Sequence, residues 1–104
     1  MQTITKSTIL QTLADHRSEI RNFGVRQIGL FGSFVRSEEK PESDIDLFVE
    51  FEPEMNTFDN FMALCFFLDE LFEGRKVDVV TNKGVSPYIA PHILNEVEYA
   101  SFAG

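Results

Sequence analysis

The chain has 104 residues, 43% of them apolar, and its seventeen acidic and nine basic side chains give a formal net charge of -8. Such a length fits one domain, residues 1–104, with one modest core. The charge argues against direct nucleic-acid binding, since affinity for a polyanion comes largely from Lys and Arg neutralising phosphates.

No apolar run approaches the ~20 residues that a bilayer span needs. MQTITKSTIL lacks a basic stretch followed by an apolar one, so no signal peptide is read. The single cysteine, Cys65, set among Phe, Leu and Ala, reads as a small buried hydrophobe and suits a reducing compartment. The expectation is a cytoplasmic protein.

In chain order, the pattern predicts a first helix from about Thr5 to Asn22, capped by Thr5 or Ser7, with Ile9, Leu10, Leu13 and Ile20 on its apolar face. A strand follows at Val25 to Phe31, then a short helical turn over Phe34-Val35-Arg36 and a polar loop at Glu38 to Glu42. A second strand, Asp44 to Phe51, alternates Ile45, Leu47, Val49 and Phe51 against Asp44, Asp46, Phe48 and Glu50. Thr57 caps a helix from Phe58 to about Phe72, whose apolar stripe is read as Phe58, Phe61, Cys65, Leu68 and Phe72, with Phe66 outside it. Lys76 to Thr81 forms a third strand. Ser86-Pro87 opens a last helix to about Tyr99, and Pro91 delays its regular part. The result is an α/β fold: a small sheet with helices packed on it.

Asp44 and Asp46 lie two apart on a strand, so they share one face with Cα atoms roughly 6.5–7 Å apart. Two neighbouring carboxylates repel unless a positive charge intervenes, and a divalent cation supplies one. A bare Asp-x-Asp also reads as the solvated face of an edge strand. What precedes it favours chemistry: Gly32-Ser33 follows a strand and opens a helical turn, where glycine lets the backbone approach a phosphate and free N–H groups favour anions. Arg36 sits one turn on, with pairing to Glu38 or Glu39 as its plainer role. Asp78 is the one acid among Val77, Val79 and Val80, and it is costly there unless paired or metal-bound. It reaches the face of Asp44 and Asp46 if its strand pairs with theirs in a suitable register; otherwise it faces water from an edge strand. His16 is expected to be solvated and His92 exposed or structural, with no zinc spacing between them. Tyr88 and Tyr99 are read as packing residues, with nucleotide stacking or self-modification as the sharper alternative.

Gly32-Ser33-x-x-Arg36, Ser43-Asp44-x-Asp46-Leu47 and Val77-Asp78-Val79-Val80 together resemble the signature of the DNA polymerase β-like nucleotidyltransferase superfamily, most closely its minimal nucleotidyltransferase (MNT) domains. The closing Ile93-Leu94-Asn95-Glu96-Val97 is similar to that family's last helix. Two departures stand out: Ser37 where the family usually has Gly, and Val35 in place of a common small residue. The resemblance implies the nucleotidyltransferase fold with a small mixed sheet of three to four strands. It implies two Mg²⁺ ions held by Asp44, Asp46 and Asp78 as the catalytic acids, and ATP as substrate with its phosphates on Gly32, Ser33 and Arg36. It further implies an antitoxin that moves AMP onto a tyrosine of a HEPN-domain ribonuclease toxin, working as a hetero-oligomer. An antitoxin that only occludes its toxin, and a transferase acting on an aminoglycoside-type small molecule, are the alternatives. An exposed apolar helix face beside an acidic surface suits a basic partner.

Overall fold

The computed structural model describes residues 4–38, 40 and 43–101 of the chain; Glu39, Pro41 and Glu42 of the expected polar loop lie outside the described residues. Helix α1 (Lys6–Asp15) is capped by Thr5, whose hydroxyl accepts from the Thr8 N–H at 3.2 Å. The single first helix expected from the sequence is instead two, because α2 (Arg17–Asn22) starts after a break at His16. There the backbone leaves helical angles (φ −108°, ψ 21°). Side chains take over the exposed end of α1: His16 Nδ1 lies 2.9 Å from the Thr12 carbonyl, and Arg17 Nη1 donates to the Ala14 carbonyl at 2.8 Å. His16 is therefore half-buried, edge-on to Phe67, and not solvated as expected.

Strands β1 (Val25–Phe31) and β2 (Ile45–Phe51) pair antiparallel, and β3 (Val77–Thr81) runs parallel to β2. Between β1 and β2 the chain makes one 3₁₀ turn, Gly32–Phe34, two residues earlier than predicted. Helix α3 (Phe58–Leu71) crosses from β2 to β3, with Thr57 accepting from the Asn60 N–H as its cap. Alternation decides what the sheet buries. Ile45, Leu47, Val49 and Phe51 point into the core with Ile28 and Leu30 of β1, against Ile9, Leu13 and Ile20 of the first two helices and Leu64 and Leu68 of α3.

Of the stripe predicted for α3, Leu68 and Phe72 are buried and Phe61 packs against the core, but Phe58 is 76% exposed and Cys65 only half-buried, while Leu64, outside the stripe, is fully buried. The helix is apolar nearly all round, so periodicity alone could not select its inner face. Phe66 does stand outside the core.

The last helix is shorter than predicted. Ser86 to Ile89 form a turn, α4 covers Ala90–Glu96, and the chain then extends as β4 (Glu98–Tyr99) on the free edge of β1. Gly29 admits that pairing, since a Cβ there would meet Val97 Cγ2 at 2.6 Å and Tyr99 Cδ1 at 3.0 Å. The mixed sheet thus has four strands in the order β3-β2-β1-β4. No helix among the described residues is long and apolar enough to cross a membrane.

Candidate active site

The sheet face away from the main core carries the acids. Parallel pairing sets Asp46 opposite Asp78, so both project from one face at adjacent strands, and Asp44 precedes Asp46 by two residues at the start of β2. Arg75 fixes that start: its Nη1 donates to the Ser43 carbonyl at 2.9 Å while its guanidinium lies over the Phe34 ring, 5.6 Å from the centroid. Burial, with Asp78 and Asp44 adding like charge, pushes the Asp46 carboxyl up to about 6. The Lys76 ammonium stands between the outer two acids, 3.8 Å from Asp78 and 4.0 Å from Asp44. As the side chains stand, no three acidic, histidine or cysteine groups among the described residues close around a common point.

The 3₁₀ turn follows β1 directly. Gly32 has φ +82°, and a Cβ on it would run into the Asp46 carboxylate, so only glycine brings this backbone against the acid. Its N–H points to the Glu96 carboxylate at 2.6 Å. Ser33 is half-buried in the same turn. Arg36 is bound on both sides, Nε to Glu38 at 2.7 Å and Nη1 to both Glu96 oxygens at 3.0 and 3.1 Å, and these carboxylates raise its pKa further. Its expected surface pairing is present with Glu38, but the second partner is the distant Glu96. An open cleft of about 620 Å³ continues from the acids, lined by Phe31, Asp46 and Asp78 together with Val85, Ile89 and Ile93.

The profile of the nucleotidyltransferase domain family matches residues 10–100. The chain belongs to that family. Protein adenylyltransferase MntA of Thermococcus cleftensis is 41% identical over 100 residues, covering 95% of this chain and 99% of that protein. A solved candidate minimal nucleotidyltransferase is 31% identical and superposes with a TM-score of 0.69, covering 86% of this chain and 93% of its own. A chain in the complex of tri-AMPylated Shewanella oneidensis HEPN toxin with MNT antitoxin shares the fold at 18% identity, with a TM-score of 0.62 over 90% of this chain and 73% of that one. A chain in a toxin–antitoxin structure with AMP-PNP does so at 19% identity and a TM-score of 0.67, over 96% of this chain and 75% of that one.

Two residues of the site escaped the sequence reading. Lys76 was legible in principle, because Lys-x-Asp on a strand puts ammonium and carboxylate on one face. Glu96 was not, since it meets Gly32 across 64 positions of chain. The departure at Ser37 gains a physical meaning: this is the one described non-glycine residue with positive φ, at 59°. The left-handed backbone that glycine adopts freely is kept here with a serine. His92 is exposed, as are Tyr88 at 87% and Tyr99 at 39%.

Proposed function

We propose that the chain is an antitoxin of the protein adenylyltransferase type, moving AMP from ATP onto a tyrosine of a HEPN-domain toxin. The observation that carries the reading is the in-register pairing of Asp46 with Asp78, on a face whose next neighbour is the Gly32 turn. The 41% identity to a protein adenylyltransferase over nearly its whole length supports the reaction class. The toxin–antitoxin complexes of the same fold support the partner and the nucleotide.

The donor set fits Mg²⁺. Asp46 and Asp78 stand in register with Asp44 close by, burial and these like charges destabilise the Asp46 carboxylate, and an ammonium stands where positive charge is wanted. Asp44, Asp46 and Asp78 would hold the ions. Bound Mg²⁺ supplies charge that offsets the triphosphate and stabilises attacking and departing oxygens.

The chain's own groups do the rest. The Gly32 N–H and Ser33 hydroxyl would receive the β- and γ-phosphates, and Arg36 would balance the charge of departing pyrophosphate. Val85, Ile89 and Ile93 offer the nucleoside an apolar wall. Asp78 would orient the acceptor hydroxyl for in-line attack on the α-phosphorus. A reaction that consumes ATP would suit a cytoplasmic protein.

Incubating the purified pair with ATP and Mg²⁺ is expected to add AMP to the toxin, read by mass spectrometry. Asp44→Ala with Asp46→Ala is expected to lower the rate at least about 10³-fold. Toxin neutralisation that survives this double substitution undiminished would favour occlusion, a role that exposed Tyr88, Ile89 and Leu94 beside the cleft also suit.

A further inference from the structure

An isolated 3₁₀ or α-helical start leaves its first N–H groups without partners, which is why such turns take anions. Here the turn already holds one. The Glu96 carboxylate accepts from the Gly32 N–H at 2.6 Å and, through both oxygens, from Arg36 Nη1 at 3.0 and 3.1 Å. A backbone N–H and a guanidinium around one planar anion are the donors that a phosphate oxygen would use.

The arrangement is not a by-product of local geometry. Glu96 is the last residue of α4, where the helix dipole disfavours a negative charge. Its side chain is nonetheless drawn inward to 24% exposure, while Arg36 stays at 50%. Val97 then turns into extended backbone and β4 pairs with β1, so the end of α4 is fixed over the turn.

We infer that Glu96 is a resident anion of the phosphate cradle, displaced when the triphosphate enters. This rests on the nucleotidyltransferase reading above and adds regulation of the same site. Glu96 competes with the ligand, so apparent affinity is reduced by the fraction of molecules in which the cradle is self-occupied. Rotation of one side chain frees the cradle and leaves an unpaired carboxylate at the α4–β4 junction, which gives the nucleotide-loaded chain a surface the empty one lacks.

Glu96→Gln keeps the shape and removes the charge. Calorimetry with Mg²⁺ and either AMP-PNP or inorganic pyrophosphate is expected to show binding about tenfold tighter than to the wild-type chain for both ligands. Pyrophosphate lacks base and sugar, so its binding reports on the phosphate and metal contacts without the nucleoside. Equal or weaker binding to Glu96→Gln overturns the inference, because a glutamate that only orients Arg36 predicts weaker binding. A chain that binds neither ligand in either form removes the nucleotidyltransferase reading, and the inference with it. That pattern differs from equal, measurable affinities.

The nucleotide-free chain offers a second reading. The Gly32 amide proton is expected far downfield in the wild-type NMR spectrum, moved upfield by Glu96→Gln, and moved again when pyrophosphate is added to the wild type. Pyrophosphate that binds without changing the Gly32 and Glu96 resonances also overturns it.

Discussion

The cluster of acids and the Gly32 turn are both charge-balanced by side chains of the chain itself, but with opposite signs and unequal grip. Lys76 hovers between Asp44 and Asp78 at 4.0 and 3.8 Å and is 71% exposed. Glu96 is bound at 2.6 Å to the Gly32 N–H and at 3.0 and 3.1 Å to Arg36, and is largely covered. A solvated ammonium at such distances contributes little and exchanges readily for any better cation. A charge-assisted contact to a backbone N–H resists exchange. On the proposed reading, the acid side would take an ion readily, while the turn would first have to release Glu96.

Joining the two regions is Gly32, so the largest effect is expected from Gly32→Ala. A Cβ at φ +82° strains the backbone and meets the Asp46 carboxylate, together costing about 2–4 kcal/mol of stability. Chemical denaturation measures the loss, and a variant as stable as wild type would show that the turn does not rest on the acid.

Asp46 carries the next effect. Its carboxyl is raised from 3.8 to about 6, so the folded chain binds more protons than the unfolded chain between those values. Stability without metal is accordingly expected to rise as pH falls from 8 to 5, opposite to the usual carboxylate trend. The whole shift corresponds to about 3 kcal/mol for a shielded group, which solvent screening of this half-exposed one reduces to about 1–2 kcal/mol; roughly half of that is reached by pH 5 and the rest only below pH 3.8. Asp46→Asn in chelator should stabilise the chain at pH 8 by that amount and flatten its pH dependence. An unchanged pH profile would mean that neither burial nor the neighbouring acids raise the Asp46 carboxyl.

Ser37→Gly acts on the same turn from its far side. Releasing the left-handed serine is expected to gain about 1 kcal/mol, less the entropy glycine loses on folding. Thermal unfolding reads the gain, and a loss instead would show that Ser37 makes a compensating contact.

Much of this was legible from local pattern. β1, β2 and α3 keep almost the bounds that the apolar pattern and the Thr57 cap predict, and the three motifs pointed to the family. What was hidden depends on partners far away in sequence. The break at His16 leaves Ile9, Leu13 and Ile20 in helical phase, so periodicity runs through it unchanged. β4 is too short to show a period and exists because Gly29 leaves room for Val97 and Tyr99. The Asp46–Asp78 register depends on how α3 returns the chain parallel to β2, and Glu96 meets its turn across 64 positions of chain.

The smallest effect separates the two regions most cleanly. Lys76 is exposed and its ion pairs are long, so Lys76→Gln is expected to change stability by less than about 0.5 kcal/mol. It removes the ammonium that shares Asp44 and Asp78 with an incoming ion. Mg²⁺ affinity measured by titration is therefore expected to rise only a few-fold, well short of the about tenfold gain expected for pyrophosphate on Glu96→Gln. If Lys76→Gln instead weakened Mg²⁺ binding, the lysine would be ordering the acids and not merely balancing them. The loose side of the site would then be as firmly built as the tight one.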